Sequence, residues 1–114
     1  YYKGVSTGGT DNATITVEAS STTAAAATAA VPFWYKVVAT TDSGWTAATT
    51  AGFSITAGSS GLYLIAAPKD VFASTGYKYA RLKCVEVTND PVVGCILAVV
   101  YGQRYNPQPA SLID

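Results

Sequence analysis

The sequence contains no histidine and no methionine, only two cysteines, and few charges of either sign. Without an imidazole, the usual general base, the commonest metal ligand and the third member of most nucleophilic triads are missing. Cys84 and Cys95 have neither a histidine nor a second cysteine pair to complete a zinc site, and they are not in Cys-x-x-Cys spacing. The sequence therefore predicts no cofactor, no metal and no catalytic residue.

Charge is sparse as well. Seven basic and seven acidic residues sum to a formal net charge of zero, and charged residues make up 12% of the chain, about half the usual share. With no basic cluster, the electrostatic footprint of nucleic-acid binding is missing. A neutral surface also lacks the self-repulsion that keeps copies apart, so association with partners or with further copies is expected. No apolar run approaches the roughly 18 to 20 residues of a membrane-spanning helix. An opening on Tyr1 and Tyr2, without methionine, reads as a processed terminus leading toward an edge strand.

The acids are scattered, and only Glu86 and Asp90 lie close together. Asp90 precedes Pro91, where aspartate commonly caps a turn, so a turn role is favoured over acid/base work or calcium binding. Gly8-Gly9 and Gly58-Ser59-Ser60-Gly61 lack the lysine that ends a phosphate loop and read as turns. Asn12-Ala13-Thr14 matches a glycosylation acceptor, a pattern common by chance in threonine-rich chains. Arg81 and Lys83 share one strand face while Lys78 falls on the other. That reads as a solvated face or an ion-pair site between subunits.

What is abundant is β-forming. Hydrophobic residues make up 49% of the chain, with eight tyrosines and two tryptophans. Val, Ile, Thr, Tyr and Phe segments are separated by Gly, Ser and Asn-Asp clusters, the pattern of an all-β sandwich or barrel. Residues 13–18 alternate, with Ile15 and Val17 on one face and Thr14, Thr16 and Glu18 on the other. The Ala-rich residues 22–30 read as a surface loop with at most one helical turn. Residues 33–40 form a strand apolar on both faces, predicted to be covered on both. Strands follow at 53–56 and 62–66 at hairpin spacing, and Pro68 can open a single helical turn ended by Gly76.

The strongest signal is a hairpin of residues 77–88 and 94–101. Its first arm slips in apolar parity near Lys83, which predicts a β-bulge. Its second arm is continuously apolar, as in a central strand covered on both sides. Pairing Thr88 with Gly94 leaves the two sulfurs out of register, which favours buried thiols over a disulfide. The expected organisation is a single antiparallel β-sandwich or β-barrel, jelly-roll-like, over residues 1–104. An extended, proline-containing arm follows over 105–114.

The run Tyr77-Lys78-Tyr79-Ala80-Arg81-Leu82-Lys83-Cys84-Val85-Glu86-Val87-Thr88-Asn89-Asp90-Pro91-Val92-Val93-Gly94, ending in Val99-Val100-Tyr101-Gly102-Gln103-Arg104-Tyr105, resembles the C-terminal hairpin of the capsid decoration, or cement, proteins of tailed bacteriophages. Thr10-Asp11-Asn12-Ala13-Thr14-Ile15-Thr16-Val17-Glu18 is similar to their opening strands. The Ala/Thr-rich residues 21–30 and the tail have no counterpart in that likeness. The resemblance implies a structural protein that binds the outside of an icosahedral head and stabilises it. Its partner would be the major capsid protein, its state a homo-oligomer (trimer or dimer), and its place the virion surface after assembly in the host cytoplasm.

Tyr1, Tyr2, Trp45, Tyr105, Leu112 and Ile113 are the expected interface residues, being large, near termini or loops, and poorly explained by a core. The alternative is a carbohydrate- or receptor-binding module of a virion fibre or adhesin, with Trp34, Trp45, Tyr63 and Tyr101 as stacking platforms. A pilin-like or surface-layer subunit is a further reading.

Overall fold

The computed structural model describes residues 1–4, 12–38, 44–87 and 92–99. They form two antiparallel sheets packed face to face, as the all-β pattern predicts. Strand β1 is Tyr2–Lys3, β2 Ala13–Ser20, β3 Thr28–Val31, β4 Phe33–Val38, β5 Thr46–Ala48, β6 Phe53–Ser54 and β7 Gly61–Ala66. The short helix α1, Lys69–Ala73, separates them from β8, Tyr79–Glu86, and β9, Gly94–Cys95.

One sheet has the order β5-β4-β7-β1-β9. In the other, β2 is the centre: β8 pairs with it along eight residues on one side, while β3 and β6 share the other. The alternation of β2 explains its place. Ala13, Ile15, Val17 and Ala19 are buried against the facing sheet, and Thr14 and Thr16 remain partly exposed.

The core runs between the sheets in two adjoining clusters. One gathers Val17, Ala19, Val31, Phe33 and Ala48, with Val71 and Phe72 of α1 against it. The other gathers Ala13, Ile15, Ile55 and Tyr63. Across the β2 sheet, Ala80, Ala19 and Ala29 lie side by side in register, a row of small side chains on the inward parity. This row explains β3: pairing with β2 overrides the helical preference of alanine. Of the expected loop over 22–30, residues 22–27 alone lie outside a strand, and Thr28–Val31 is strand.

Between β5 and β6 the chain turns at Gly52, whose N–H donates to the Thr49 carbonyl at 3.0 Å. Its φ is +79°, and a Cβ there would lie 2.1 Å from the Ile15 carbonyl oxygen. Only glycine meets both conditions. Helix α1 begins after Pro68, as expected, with Asp70 in its first turn.

Four sequence expectations are corrected. The hairpin of 77–88 with 94–101 does not form, because β8 belongs to the β2 sheet and β9 pairs with β1 in the other. The β2–β8 register is continuous from Ala13↔Glu86 to Ser20↔Tyr79, so no bulge interrupts it. Strands β6 and β7 likewise pair in different sheets, β6 with β2 and β7 with β4 and β1. Strand β1 is interior to its sheet, between β7 and β9, not an approach to an edge. Tight spacing suggested local hairpins, but in a sandwich a short connection can equally carry the chain from one sheet to the other.

The cysteines are free, as expected, but both are exposed and not buried. The arm 105–114 lies outside the described residues.

Candidate functional site

The two outer faces of the sandwich differ in chemistry. On the β2 sheet the outward row holds Thr14, Thr16, Glu18 and Ser20, with Arg81 and Lys83 beside them on β8. Glu18 Oε2 lies 2.6 Å from the Arg81 guanidinium, and Oε1 lies 3.3 Å from Lys83 Nζ. The two basic residues thus share one acid within the chain, which accounts for their common face. Burial raises the Glu18 carboxyl, but hydrogen bonds and charge from Arg81 and Lys83 outweigh it and leave the group below its ordinary value. A shallow open depression lined by Ser20, Thr22, Tyr79 and Arg81 lies at one end of this face.

The outer face of the five-stranded sheet is largely apolar, with Lys36 as its charged member. Inward residues of β4 and β7, Phe33 and Tyr63, are buried, so their neighbours in sequence point out. Register then places Val38, Leu62, Tyr2 and Cys95 directly opposite one another across β4, β7, β1 and β9. The next outward rows hold Lys36 beside Leu64, and Ala47, Trp34 and Ala66. Trp34, Val38, Leu62, Leu64 and Tyr2 are each 41 to 47% exposed. Trp45, just before β5, is half exposed. On either side of β9 in sequence, Val93, Ile96, Leu97 and Val99 are also exposed, by 56 to 83%. Exposed apolar side chains gathered on one face mark an interaction site more often than an ordinary monomer surface.

Two expectations change here. Among the described residues, the outward side of 33–38 is open, not covered, and residues 96–99 are displayed to solvent beyond a two-residue edge strand instead of forming a central strand. In each case apolar residues of both parities were taken for burial on two sides, whereas the second side is exposed.

Tyr2 and Trp45, expected at an interface, are displayed. Tyr1 is instead tied into the fold. Its terminal amine donates to the Tyr63 carbonyl at 2.9 Å, the Tyr63 N–H donates back to the Tyr1 carbonyl at 2.8 Å, and the two rings lie 6.3 Å apart. Tyr105, Leu112 and Ile113 lie outside the described residues. Of the stacking candidates, Trp34 and Trp45 are accessible and Tyr101 lies outside the described residues. Tyr63 is buried, its hydroxyl accepting the Thr56 N–H at 3.1 Å, and offers no platform.

Residues the sequence did not single out complete the surface: Val38, Leu62 and Leu64. Their signal was the parity opposite Phe33 and Tyr63, where Trp34 and Val38 of β4 flank Lys36, and Leu62, Leu64 and Ala66 of β7 are all apolar. A further unforeseen residue is Lys3. It is fully buried, and its Nζ donates to the carbonyls of Thr56 at 2.6 Å and Ser59 at 3.0 Å. It thereby pins the 56–60 turn beneath β1 and the inner end of the apolar face.

Among the described residues, no three His, Cys, Asp or Glu side chains converge as a metal site would need. Glu86 accepts the Val92 N–H at 3.2 Å, and Asp90, its neighbour in sequence, lies outside the described residues. No described helix is long and apolar enough to cross a membrane. The geometry thus defines an antiparallel two-sheet protein with one polar and one apolar outer face. No protein-family model matches the chain, and neither a curated protein nor a solved structure matches it.

Proposed function

We propose that this is a non-catalytic structural protein that docks by the outer face of its five-stranded sheet. We propose further that its partner is the major capsid protein on the outside of an icosahedral virion, which it stabilises as a homo-oligomer. The observation that carries the reading is the apolar row Val38, Leu62 and Tyr2, with Trp34 and Leu64 beside it, standing exposed on one face while the opposite face is polar. Covering such residues removes apolar area from water at roughly 25 cal/mol per Å². Repetition over a closed lattice turns modest individual contacts into firm attachment. The likeness of the β2 and β8 segments to decoration proteins supplies the choice of partner.

The test is co-sedimentation of the chain with shells assembled from a major capsid protein alone, together with the thermal stability of those shells. The wild-type chain is expected to bind and to raise shell stability. The double variant Leu62→Lys/Leu64→Lys is expected to bind at least about tenfold more weakly. Equal binding by the double variant would refute the assignment of the face, and no binding by the wild type would refute the choice of partner.

Trp34 and Trp45, about half exposed, favour a second reading as a carbohydrate-binding module, because indole faces stack on pyranose rings. A glycan array separates the two. Signal lost on Trp34→Ala and Trp45→Ala supports sugar binding, and a blank array supports the protein partner.

A further inference from the structure

Sandwich proteins normally blunt their sheet edges with short or broken strands, because an open edge is a template for another strand. Three edges follow that rule: β5 has three residues, β9 has two, and the edge opposite β8 is divided between β3 and β6. Strand β8 does not. It runs for eight residues, and among the described strands it pairs with β2 alone.

The direction of its backbone groups is fixed by one contact. The Val87 N–H donates to the Asn12 carbonyl at 3.0 Å, continuing the β2–β8 register by one step. Alternation along an antiparallel ladder then points the amides and carbonyls of Ala80, Leu82, Cys84 and Glu86 away from β2, toward the edge that no described strand occupies. Charges on an edge strand usually guard it. Here Arg81 and Lys83 are drawn toward Glu18 on the neighbouring strand, so the guard is turned inward.

We infer that β8 pairs antiparallel with β8 of a second copy about a two-fold axis at Cys84. A strand meeting itself about such an axis is self-complementary, and the formal net charge of zero leaves no long-range repulsion to oppose it. Local charge selects the register. Centring on Leu82 would set Arg81 opposite Lys83 twice, and centring on Lys83 would set that residue against itself. Centring on Cys84 sets Lys83 against Val85 and Arg81 against Val87 of the second copy. The aliphatic stems of the basic residues then cover two valines that are 48% and 57% exposed. Leu82 and Glu86 exchange backbone hydrogen bonds with each other's copies and Cys84 with its own counterpart, about six bonds in all. The two Cys84 residues form a hydrogen-bonded pair with Cα atoms about 5.5 Å apart, within the range that a disulfide spans. This surface is separate from the apolar face and does not depend on what that face binds.

The test uses the full chain alone. Sedimentation velocity from about 1 µM to about 500 µM is expected to show a monomer–dimer equilibrium. Val85→Lys, an exposed position, places lysine opposite Lys83 twice and is expected to weaken the dimer about tenfold with an unchanged melting temperature. Diamide accepts two electrons and two protons as two thiols join. It is expected to cross-link the Cys95→Ser chain into a dimer and to leave the Cys84→Ser chain uncrosslinked. A monomer at every concentration, a dimer indifferent to Val85→Lys, or cross-linking that survives Cys84→Ser would each overturn the inference.

Discussion

The rings of Tyr35 and Phe53 stack face to face, 3.9 Å between centroids and 1° from parallel, and join the two sheets. Tyr35 stands on β4 of the five-stranded sheet and Phe53 on β6 of the other. Phe53 also lies 6.1 Å from Phe33 and 5.7 Å from Tyr63, so one ring gathers three aromatics of the facing sheet. Phe53→Ala is expected to cost about 3 kcal/mol, read as a lower denaturation midpoint in urea. A loss under about 1 kcal/mol would mean that the sheets are held together elsewhere.

Gly52 permits the β5–β6 turn to pass over β2. Gly52→Ala imposes a positive φ on a residue with a Cβ and drives that carbon into the Ile15 carbonyl. A loss of at least about 2 kcal/mol is expected, measured in the same urea titration. A neutral outcome would show that the turn relaxes freely.

Lys3 holds two carbonyls of the 56–60 turn from a fully buried position. Lys3→Met keeps much of the side chain's bulk and removes both donors. The variant is expected to lose about 1 kcal/mol, because the Thr56 and Ser59 carbonyls lose their common donor. Hydrogen exchange should show faster opening of residues 56–63 than in the wild type, and unchanged exchange would contradict the role given to Lys3.

Glu18 makes stability depend on acid. Its carboxyl in the folded chain lies below its ordinary value of 4.5, because Arg81 and Lys83 outweigh the opposing effect of burial. As pH falls the unfolded chain takes up this proton first. The contribution is therefore complete above about pH 4.5 and is lost as pH drops through the lower folded value. Both basic partners are more than a third exposed, so solvent screening holds the effect to within about 1 kcal/mol. Glu18→Gln should flatten the acid side of a plot of melting temperature against pH, and a parallel curve would remove Glu18 from the account.

The character of each strand was legible where one face alone was apolar. In β2, Ile15 and Val17 alternate with Thr14 and Thr16, and burial follows that alternation. Helix α1 was legible from Pro68 and Gly76. Misreading began where both parities were apolar, as at Trp34 and Val38 or at Ile96 and Leu97. Hydrophobicity states that a side chain gains by leaving water, not whether this chain or another molecule covers it. The apolar face was half legible: Tyr2 and Trp45 were singled out for their size and their place near termini or loops, whereas Leu62 and Leu64 were read only as part of a strand over 62–66.

By itself the sequence determined an all-β protein with a core and a neutral surface, because alternation, β-branching and sparse charge are local properties. Tertiary structure alone decided that β8 lies on β2 and β9 on β1, that Tyr1 is anchored while Tyr2 is displayed, and that Lys3 is buried. Strand partners are chosen by closing the whole sandwich over Ile15, Phe33 and Tyr63. That closure balances every strand at once, so no short segment carries the answer.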